Sequence, residues 1–463
     1  MRIVLADLKA DDGFISKDTV AGGYGSRLRP FSKVTRVIST LKRRFHDIQS
    51  IHLAYLAAIA ARAGHEVVPS TGEIVDGDVA LVLSSLVDFR RETAWADKMR
   101  ARGTRVGYVG LAASKMPDLF KDSADFIING EPEHAMQRLV AGEVLSGIVE
   151  SPALPDLDAL PFPRWDLVSG QRKKFRVPFA GRPIGGAFAL LASRGCPEFC
   201  TYCPHRILAG YRSRSVGNIL DEIENLTKVQ SRPYIIFRDP LFTESRERVL
   251  GLCEGIRSRG LDVTFECETR LDRLDPELLT LMHGAGLRAI SFGVEAMSPA
   301  ILKKVGRRPI PEAHQRLIVE HCRSLGIVTA AFYVLGFLED DWHSISATIE
   351  YAVDLASTVA QFKILTPYPG TPLWKKMAPL VVESDWERFD GFTANFTHPN
   401  LTRGELKFLL GAAYTRFYMR PSYLANYLRI SAPRLRDMVT RLDAKVSRHH
   451  TKREGEIMRA VSC

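Results

Sequence analysis

The stretch Ala187-Phe188-Ala189-Leu190-Leu191-Ala192-Ser193-Arg194-Gly195-Cys196-Pro197-Glu198-Phe199-Cys200-Thr201-Tyr202-Cys203 decides how this chain is read. Its first half is a short apolar run of the kind that forms a buried strand. Its second half is a loop with the spacing Cys-x3-Cys-x2-Cys. Three thiolates in one short loop can each hold one iron of a cubane cluster. A [4Fe–4S] cluster usually takes four cysteines, so this loop would leave one iron open to a substrate or cofactor. Zinc is the alternative. It would want a fourth ligand such as His205, but Cys-x3-Cys-x2-Cys-x-His is not a usual zinc spacing.

Downstream, apolar runs and amphipathic stretches alternate. Strands are expected near 187–193, 233–238, 262–267, 287–292, 327–335 and 358–366. Helices are expected near 215–230, 245–259, 275–284, 311–324 and 341–356. In the first helix Val216, Ile219, Leu220 and Ile223 share one face. Six strand–helix units suit an incomplete barrel, with chemistry at the C-terminal ends of its strands. Beyond about residue 375 the pattern turns helical and basic.

Upstream, residues 1–144 also alternate. Strands are read at Ile3–Leu5, Glu66–Val68, Val79–Leu83, Val106–Val109 and Asp125–Ile128. Ile51, Ala54, Tyr55, Ala58 and Ile59 keep helical spacing, and Gly64 closes that helix. This pattern predicts a doubly wound, Rossmann-like parallel sheet. Residues 9–47 interrupt it with the flexible stretch Gly22-Gly23-Tyr24-Gly25 and a basic run from Arg27 to Arg44. A loop this long is often functional, and Val34–Phe45 fits a basic amphipathic helix. The expected layout is an α/β chain with a Rossmann-like domain (1–144), a proline-rich linker (145–185), a partial (β/α)6 barrel (186–375) and a basic helical C-terminal extension (376–463).

The chain has 463 residues, too many for one ordinary core. Hydrophobic residues make up 46% and charged residues 25%, which excludes wholesale disorder. No apolar run approaches the roughly 18 residues needed to span a bilayer, and the N-terminus lacks a signal-peptide layout. A cytoplasmic protein is expected. Residues 401–463 hold 13 Lys/Arg against 5 Asp/Glu, so this tail carries +8 of the net +10. Such a tail is a solvated helix or a contact for an anionic surface. Seven cysteines, three of them clustered, suggest a metal or redox site and not a disulfide framework. Cys253, Cys267 and Cys322 read as buried hydrophobes.

On these motifs, residues 187–375 resemble the radical S-adenosylmethionine (SAM) enzymes. The resemblance implies that Cys196, Cys200 and Cys203 bind a [4Fe–4S] cluster and that SAM chelates its open iron. Electron transfer would then cleave SAM to methionine and a 5′-deoxyadenosyl radical. Tyr202 matches the family's aromatic position before the last cysteine. Phe237–Thr243 is similar to the segment that contacts the methionine amine. Only Asp239 carries over there, because Pro240 stands where a second acid is common. Arg270 would pair with the SAM carboxylate, and Glu295 would accept ribose hydroxyls. Val334 and Gly336 lie on a segment that resembles the adenine-binding strand. Each has a plainer role open to it: a cap for Asp239 and Glu295, an ion pair for Arg270, a turn for Gly336.

The N-terminal domain resembles the cobalamin-binding domain of class B radical SAM enzymes, a group of radical methylases and the anaerobic magnesium-protoporphyrin cyclase. Leu53–Ala58, Ala63–Val67 and Asp125–Glu133 carry the likeness. It implies cobalamin above the sheet, beside Gly110, Ser114 and Gly130. The family's paired glycines are reduced here to Gly110, with Ser114 nearby, and no Asp-x-His-x-x-Gly occurs. The activity implied is methylation of an unactivated carbon, with cyclisation, rearrangement or oxidation as the runner-up. RNA methylthiolation would need a second cluster on N-terminal cysteines, and residues 1–195 have none. A carrier or light sensor has no use for an open iron. The partners implied are a reductant such as flavodoxin or ferredoxin and a small-molecule or lipid-linked substrate. Nucleic acid is not expected. The basic segments allow peripheral membrane contact.

Overall fold

The computed structural model describes residues 1–9, 12–17, 23–45, 50–168 and 187–423. Gly22, residues 169–185 of the expected linker, residue 186 and the basic tail beyond residue 423 lie outside the described residues.

The N-terminal domain opens with β1 (Arg2–Ala6), a hairpin of β2 (Phe14–Ser16) and β3 (Ser26–Leu28), and helix α1 (Lys33–Phe45). It continues with α2 (Ile51–Arg62), β4 (Glu66–Ser70), β5 (Val79–Leu83), α3 (Phe89–Arg100), β6 (Arg105–Val109), α4 (Leu111–Lys115), β7 (Phe126–Gly130), α5 (Pro132–Val140) and β8 (Gly147–Ser151). Six of these strands form one parallel sheet in the order β4-β1-β5-β6-β7-β8. The order reverses between β1 and β5, which opens a crevice at the carboxyl ends of the strands. Helix α2 is capped by Ser50, whose side chain accepts from Leu53 N. Ile51 and Leu53–Ala60 are all buried, as expected of a helix covered on several sides. Strand β8 falls inside the segment read as linker. Only Val149 and Ser151 of it are buried, so its sequence carries the weak pattern of an edge strand.

After α6 (Trp165–Val168) the second series runs β9 (Ala187–Leu190), β10 (Ser193–Arg194), α7 (His205–Leu208), β11 (Arg212–Ser213), α8 (Val216–Val229), β12 (Tyr234–Phe237), α9 (Arg246–Ser258) and β13 (Thr264–Thr269). It continues with α10 (Pro276–Gly284), β14 (Leu287–Glu295), α11 (Pro299–Lys304), α12 (Glu312–Ser324), β15 (Val328–Leu335), α13 (Trp342–Leu355), β16 (Val359–Ile364), α14 (Pro372–Met377) and α15 (Arg403–Tyr418). The sheet order is β16-β15-β14-β13-β12-β9, all parallel and in chain sequence. The strands form an open arc, which is the incomplete barrel the alternation predicts.

An open arc leaves strand edges with unpaired backbone groups. Helix α15 covers one of them. The Tyr418 hydroxyl donates to Ala360 O (2.6 Å) and accepts from Ala360 N (3.2 Å). The Tyr414 hydroxyl does the same for Phe362, at 3.0 and 3.3 Å. Two phenols thus stand in for a seventh strand beside β16.

The two domains share one continuous apolar core, from Ile3 and Tyr55 through Leu190 to Phe417. Buried Arg194 adds a polar joint. It donates to Glu131 and to Glu133, each at 2.7 Å, and its guanidinium lies 5.2 Å from the Tyr55 ring. Burial by itself would raise the Glu133 carboxyl, but Arg194 carries it below its usual range. Replacing Arg194 with Met leaves Glu133 buried without that partner. The expected cost is ~3–5 kcal/mol, read as a fall in the denaturant midpoint of unfolding. An unchanged midpoint would show that the joint contributes nothing.

Candidate active site

The cysteine loop leaves β10 through Gly195, whose φ is +74°. A Cβ there would fall 2.6 Å from Ala209 O, so only glycine turns the chain at this point. The loop is pinned on its far side. Thr201 N donates to Val305 O (2.9 Å), and Leu373 N donates to Thr201 O (3.1 Å). Cys200 is buried, and Cys196 and Cys203 are half-buried. All three line one cavity of about 440 Å³. Burial pushes the Cys203 thiol up to about 12 and raises Cys196 as well. These thiols hold their protons unless a metal displaces them. Among the described residues no three His, Cys, Asp or Glu side chains are grouped tightly enough for a single metal ion. The fit to a cluster therefore rests on the shared cavity and on the cation beside it.

That cation is Arg307, which sequence reasoning missed. Its Nη1 lies 3.9 Å from Cys200 Sγ, and its Nη2 donates to Gly293 O and lies 3.4 Å from Glu295 Oε1. It sits on the loop after α11, away from any strand end, where no spacing rule marks it.

Four more of the expected residues, Tyr202, Arg270, Glu295 and Val334, line the same cavity. Tyr202 packs edge-on against Phe337 at 5.6 Å. Buried Arg270 donates through Nε and Nη2 to Asp272 (3.0 and 2.9 Å) and through Nη2 to Arg308 O. Its Nη1 has no hydrogen-bond partner and lies 4.0 Å from Glu198 Oε2. Glu295 ends β14 at φ +68°, where the register with β15 shifts. Burial raises its carboxyl, against the pull of Arg307.

Asp239 and Gly336 lie elsewhere. Asp239 is fully buried and accepts from Ala192 N (3.0 Å) and the Ser193 hydroxyl, tying β12 to the strand that feeds the cysteine loop. Gly336 N and Phe337 N both donate to Asp340 Oδ2, at 3.0 and 2.9 Å. A Cβ at Gly336 would fall 2.9 Å from the Leu406 side chain, so that turn packs on α15.

The cavity runs along the inside of the arc, where Ala289, Ser291 and Gly293 on β14 and Ala330 on β15 are small, beside larger lining side chains such as Tyr234, Ile236 and Phe332. Phe14, Leu28, Ile38 and Leu41 wall it on the open side. Described residues of the interruption at 9–47 thus supply a wall of the site.

A second, narrower cleft of about 80 Å³ lies over the carboxyl ends of the N-terminal sheet. Gly110, Ser114 and Gly130 line it, with Leu83 and Val109. The Ser114 hydroxyl donates to Asn129 Oδ1 (2.6 Å) and accepts from Gly130 N (3.3 Å). A Cβ at Gly130 would fall 2.2 Å from Ser151 O, which requires glycine there. From the barrel side His205, Arg238 and Pro240 border this cleft, and the same three border the larger cavity. Arg238 donates to Glu268 at 2.7 Å.

Residues 190–352 match the radical SAM superfamily. The chain is 27% identical over 322 residues to an uncharacterized methyltransferase of Pyrococcus horikoshii, covering 65% of this chain and 68% of that one. It is 28% identical over 335 residues to the anaerobic magnesium-protoporphyrin IX monomethyl ester cyclase of Rubrivivax gelatinosus, covering 66% of this chain and 59% of the cyclase. Among solved structures it superposes on the radical SAM methyltransferase TsrM of Kitasatospora setae with cobalamin and a [4Fe–4S] cluster bound. The TM-score is 0.58 at 16% identity, over 82% of this chain and 78% of TsrM. It also superposes on OxsB with aqua-cobalamin bound, with a TM-score of 0.57 at 16% identity, over 81% and 55%. At these identities the structural likeness is one of fold. Residues 190–352 thus carry a radical SAM domain, and the chain shares the fold of TsrM and OxsB.

The loop geometry carries a prediction. Replacing Gly195 with Ala forces a side chain into the left-handed region, at ~1–2 kcal/mol, and against a carbonyl. Hydrogen exchange across residues 195–213 should rise while the N-terminal sheet stays protected. Unchanged exchange in that segment would contradict the strain.

Proposed function

We propose that this chain is a cobalamin-dependent radical SAM methyltransferase acting on an unactivated carbon of a small molecule. One observation carries this reading. The cavity holding Cys196, Cys200 and Cys203 meets the cleft over the Rossmann-like sheet at His205, Arg238 and Pro240. A substrate at that junction would face both cofactor sites. When bound, the cluster and SAM supply hydrogen-atom abstraction, and cobalamin supplies the methyl group.

The chain's own residues hold, orient and enclose. In this reading Cys196, Cys200 and Cys203 bind the cluster. The unsatisfied Nη1 of Arg270 takes the SAM carboxylate, and Glu295 accepts from the ribose. Val334 offers its backbone to the adenine. Asp239, bonded to Ala192 and Ser193, positions the loop. Gly110, Ser114 and Gly130 edge the cobalamin cleft. At about 80 Å³ that cleft is well below the roughly 300–1,000 Å³ of ligand pockets, so cobalamin entry requires it to widen. A flavodoxin- or ferredoxin-type donor would supply electrons. The likeness to the cyclase supports a second reading, oxidation or cyclisation. SAM consumption without a methylated product would favour it.

The test is metal content after anaerobic preparation with cobalamin supplied. About four irons and about one cobalt per chain are expected. Protein without iron would overturn the whole reading. Iron without cobalt at saturating cobalamin would overturn the cobalamin part. Cys200→Ala should lose iron and 5′-deoxyadenosine formation together, whereas Cys253→Ala should keep both. Arg270→Met should weaken SAM binding by ~10–100-fold, the worth of a charge-assisted hydrogen bond.

No helix among the described residues is long and apolar enough to cross a membrane. Helix α1 turns Lys33, Arg36 and Val37 to solvent, which supports peripheral contact with an anionic surface. The double variant Lys33→Glu, Arg36→Glu should sediment less with anionic vesicles. Equal sedimentation would remove α1 from that contact.

A further inference from the structure

Four observations converge beside the cysteine loop. Glu295 holds a left-handed backbone, φ +68°, which a non-glycine residue adopts at a cost. It does so at the register shift in β14, a device that re-aims a side chain. Two residues earlier, a Cβ at Gly293 would fall 2.0 Å from Glu295 Oε1 and 2.9 Å from Arg307 Nη2. Glycine there lets the carboxylate and the guanidinium approach. Lastly, Gly306 has φ +71°, and a Cβ on it would fall 2.4 Å from Phe199 O. That contact presses the Arg307 segment onto the cysteine loop.

Strain, shift and two close approaches thus serve one buried side chain. Arg307 is 8% exposed. Its Nη1 reaches Cys200 Sγ at 3.9 Å, and its Nη2 reaches Gly293 O and, at 3.4 Å, Glu295 Oε1. A guanidinium is always charged and presents a planar fork of donors. Here one arm points at the sulfur of Cys200, assigned as a cluster ligand, and the other at the carboxylate assigned to the SAM ribose.

We propose that Arg307 is a positioning residue that couples the iron–sulfur cluster to the SAM site. One arm sets the cluster's reduction potential through the Cys200 sulfur, and the other fixes Glu295. Reduction adds negative charge to the cluster, and a cation donating to a ligand sulfur favours that state. Hydrogen bonds to the sulfurs are an established control of such potentials. The same arginine steadies the ribose acceptor, so the ease of electron delivery and the grip on SAM are linked through one side chain. The inference rests on the radical SAM reading of this site.

The experiment is potentiometric titration of the reduced-cluster EPR signal in the full-length, iron-loaded protein, with SAM binding by equilibrium dialysis. Arg307→Met should load about four irons and become harder to reduce. The expected shift is at least tenfold in the reduction equilibrium, 59 mV towards negative potential for one electron, with weaker SAM binding. Arg307→Lys keeps the charge without the fork. It should restore most of the potential but not the SAM affinity, a split that a merely structural role would not give. An iron-loaded Met variant with an unchanged midpoint overturns the proposal. If the Met variant fails to load, the Lys variant decides, and wild-type SAM affinity in it is also an overturning result. Wild-type protein without iron would instead sink the function proposed above.

Discussion

Arg194 stands where two sheets and one loop meet. It is the last residue of β10, and Gly195 and Cys196 follow it directly. Its guanidinium is buried against Glu131 and Glu133, beyond the end of β7 in the other domain. Burying three charges is costly, and an apolar joint of the same size could be more stable. What the ion pairs add is direction. A guanidinium fork donates to its carboxylates in few orientations, so the joint fixes the cysteine loop relative to the carboxyl ends of the N-terminal strands. Both clefts depend on that alignment, because the residues bordering both lie at the two ends of the loop's surroundings: His205 after the last cysteine, Arg238 and Pro240 beside Asp239.

Asp239 extends the same logic. It accepts from Ala192 and Ser193 just ahead of Arg194, so the strand feeding the loop is held from the barrel side as well. Burial raises its carboxyl, and the bonds from Ser193 and Ala192 counter that rise. Its carboxylate is spent on these bonds and does not line the larger cavity. The sequence pattern cannot separate this role from a cofactor contact, since an acid at a strand end looks alike in both.

Most of the fold was legible because period and punctuation agree. Ser215, Ser245 and Asp275 each cap the helix that their apolar spacing announces, and the barrel strands fall within a few residues of their apolar runs. What escaped lacks such periodicity. Strand β8 buries only two side chains. Helix α15 reads as part of a basic tail, but its stripe of Leu406, Leu409, Leu410, Ala413 and Phe417 is buried, and two of its tyrosines close a strand edge. That the three cysteines share one cavity was legible because their spacing confines them to one short loop. Arg307 was not, because its role comes from the close approach of loops distant in sequence.

The barrel's interior shows how the site was made room for. In a closed eight-stranded barrel, layers of large inward side chains fill the core. Here small residues such as Ala289, Ser291, Gly293 and Ala330 leave room inside the arc, and the part-buried ion pair of Arg238 with Glu268 lines part of it. Each missing side chain forgoes apolar burial and contacts. The chain offsets this loss outside the arc. Phe237, Phe242 and Phe265 pack with ring centroids 4.5 to 6.3 Å apart, and Gly255 admits Leu220 at a distance no Cβ would allow. Stability is concentrated in the outer layer and withheld from the inner one, as expected where a cavity must receive cofactors and substrate.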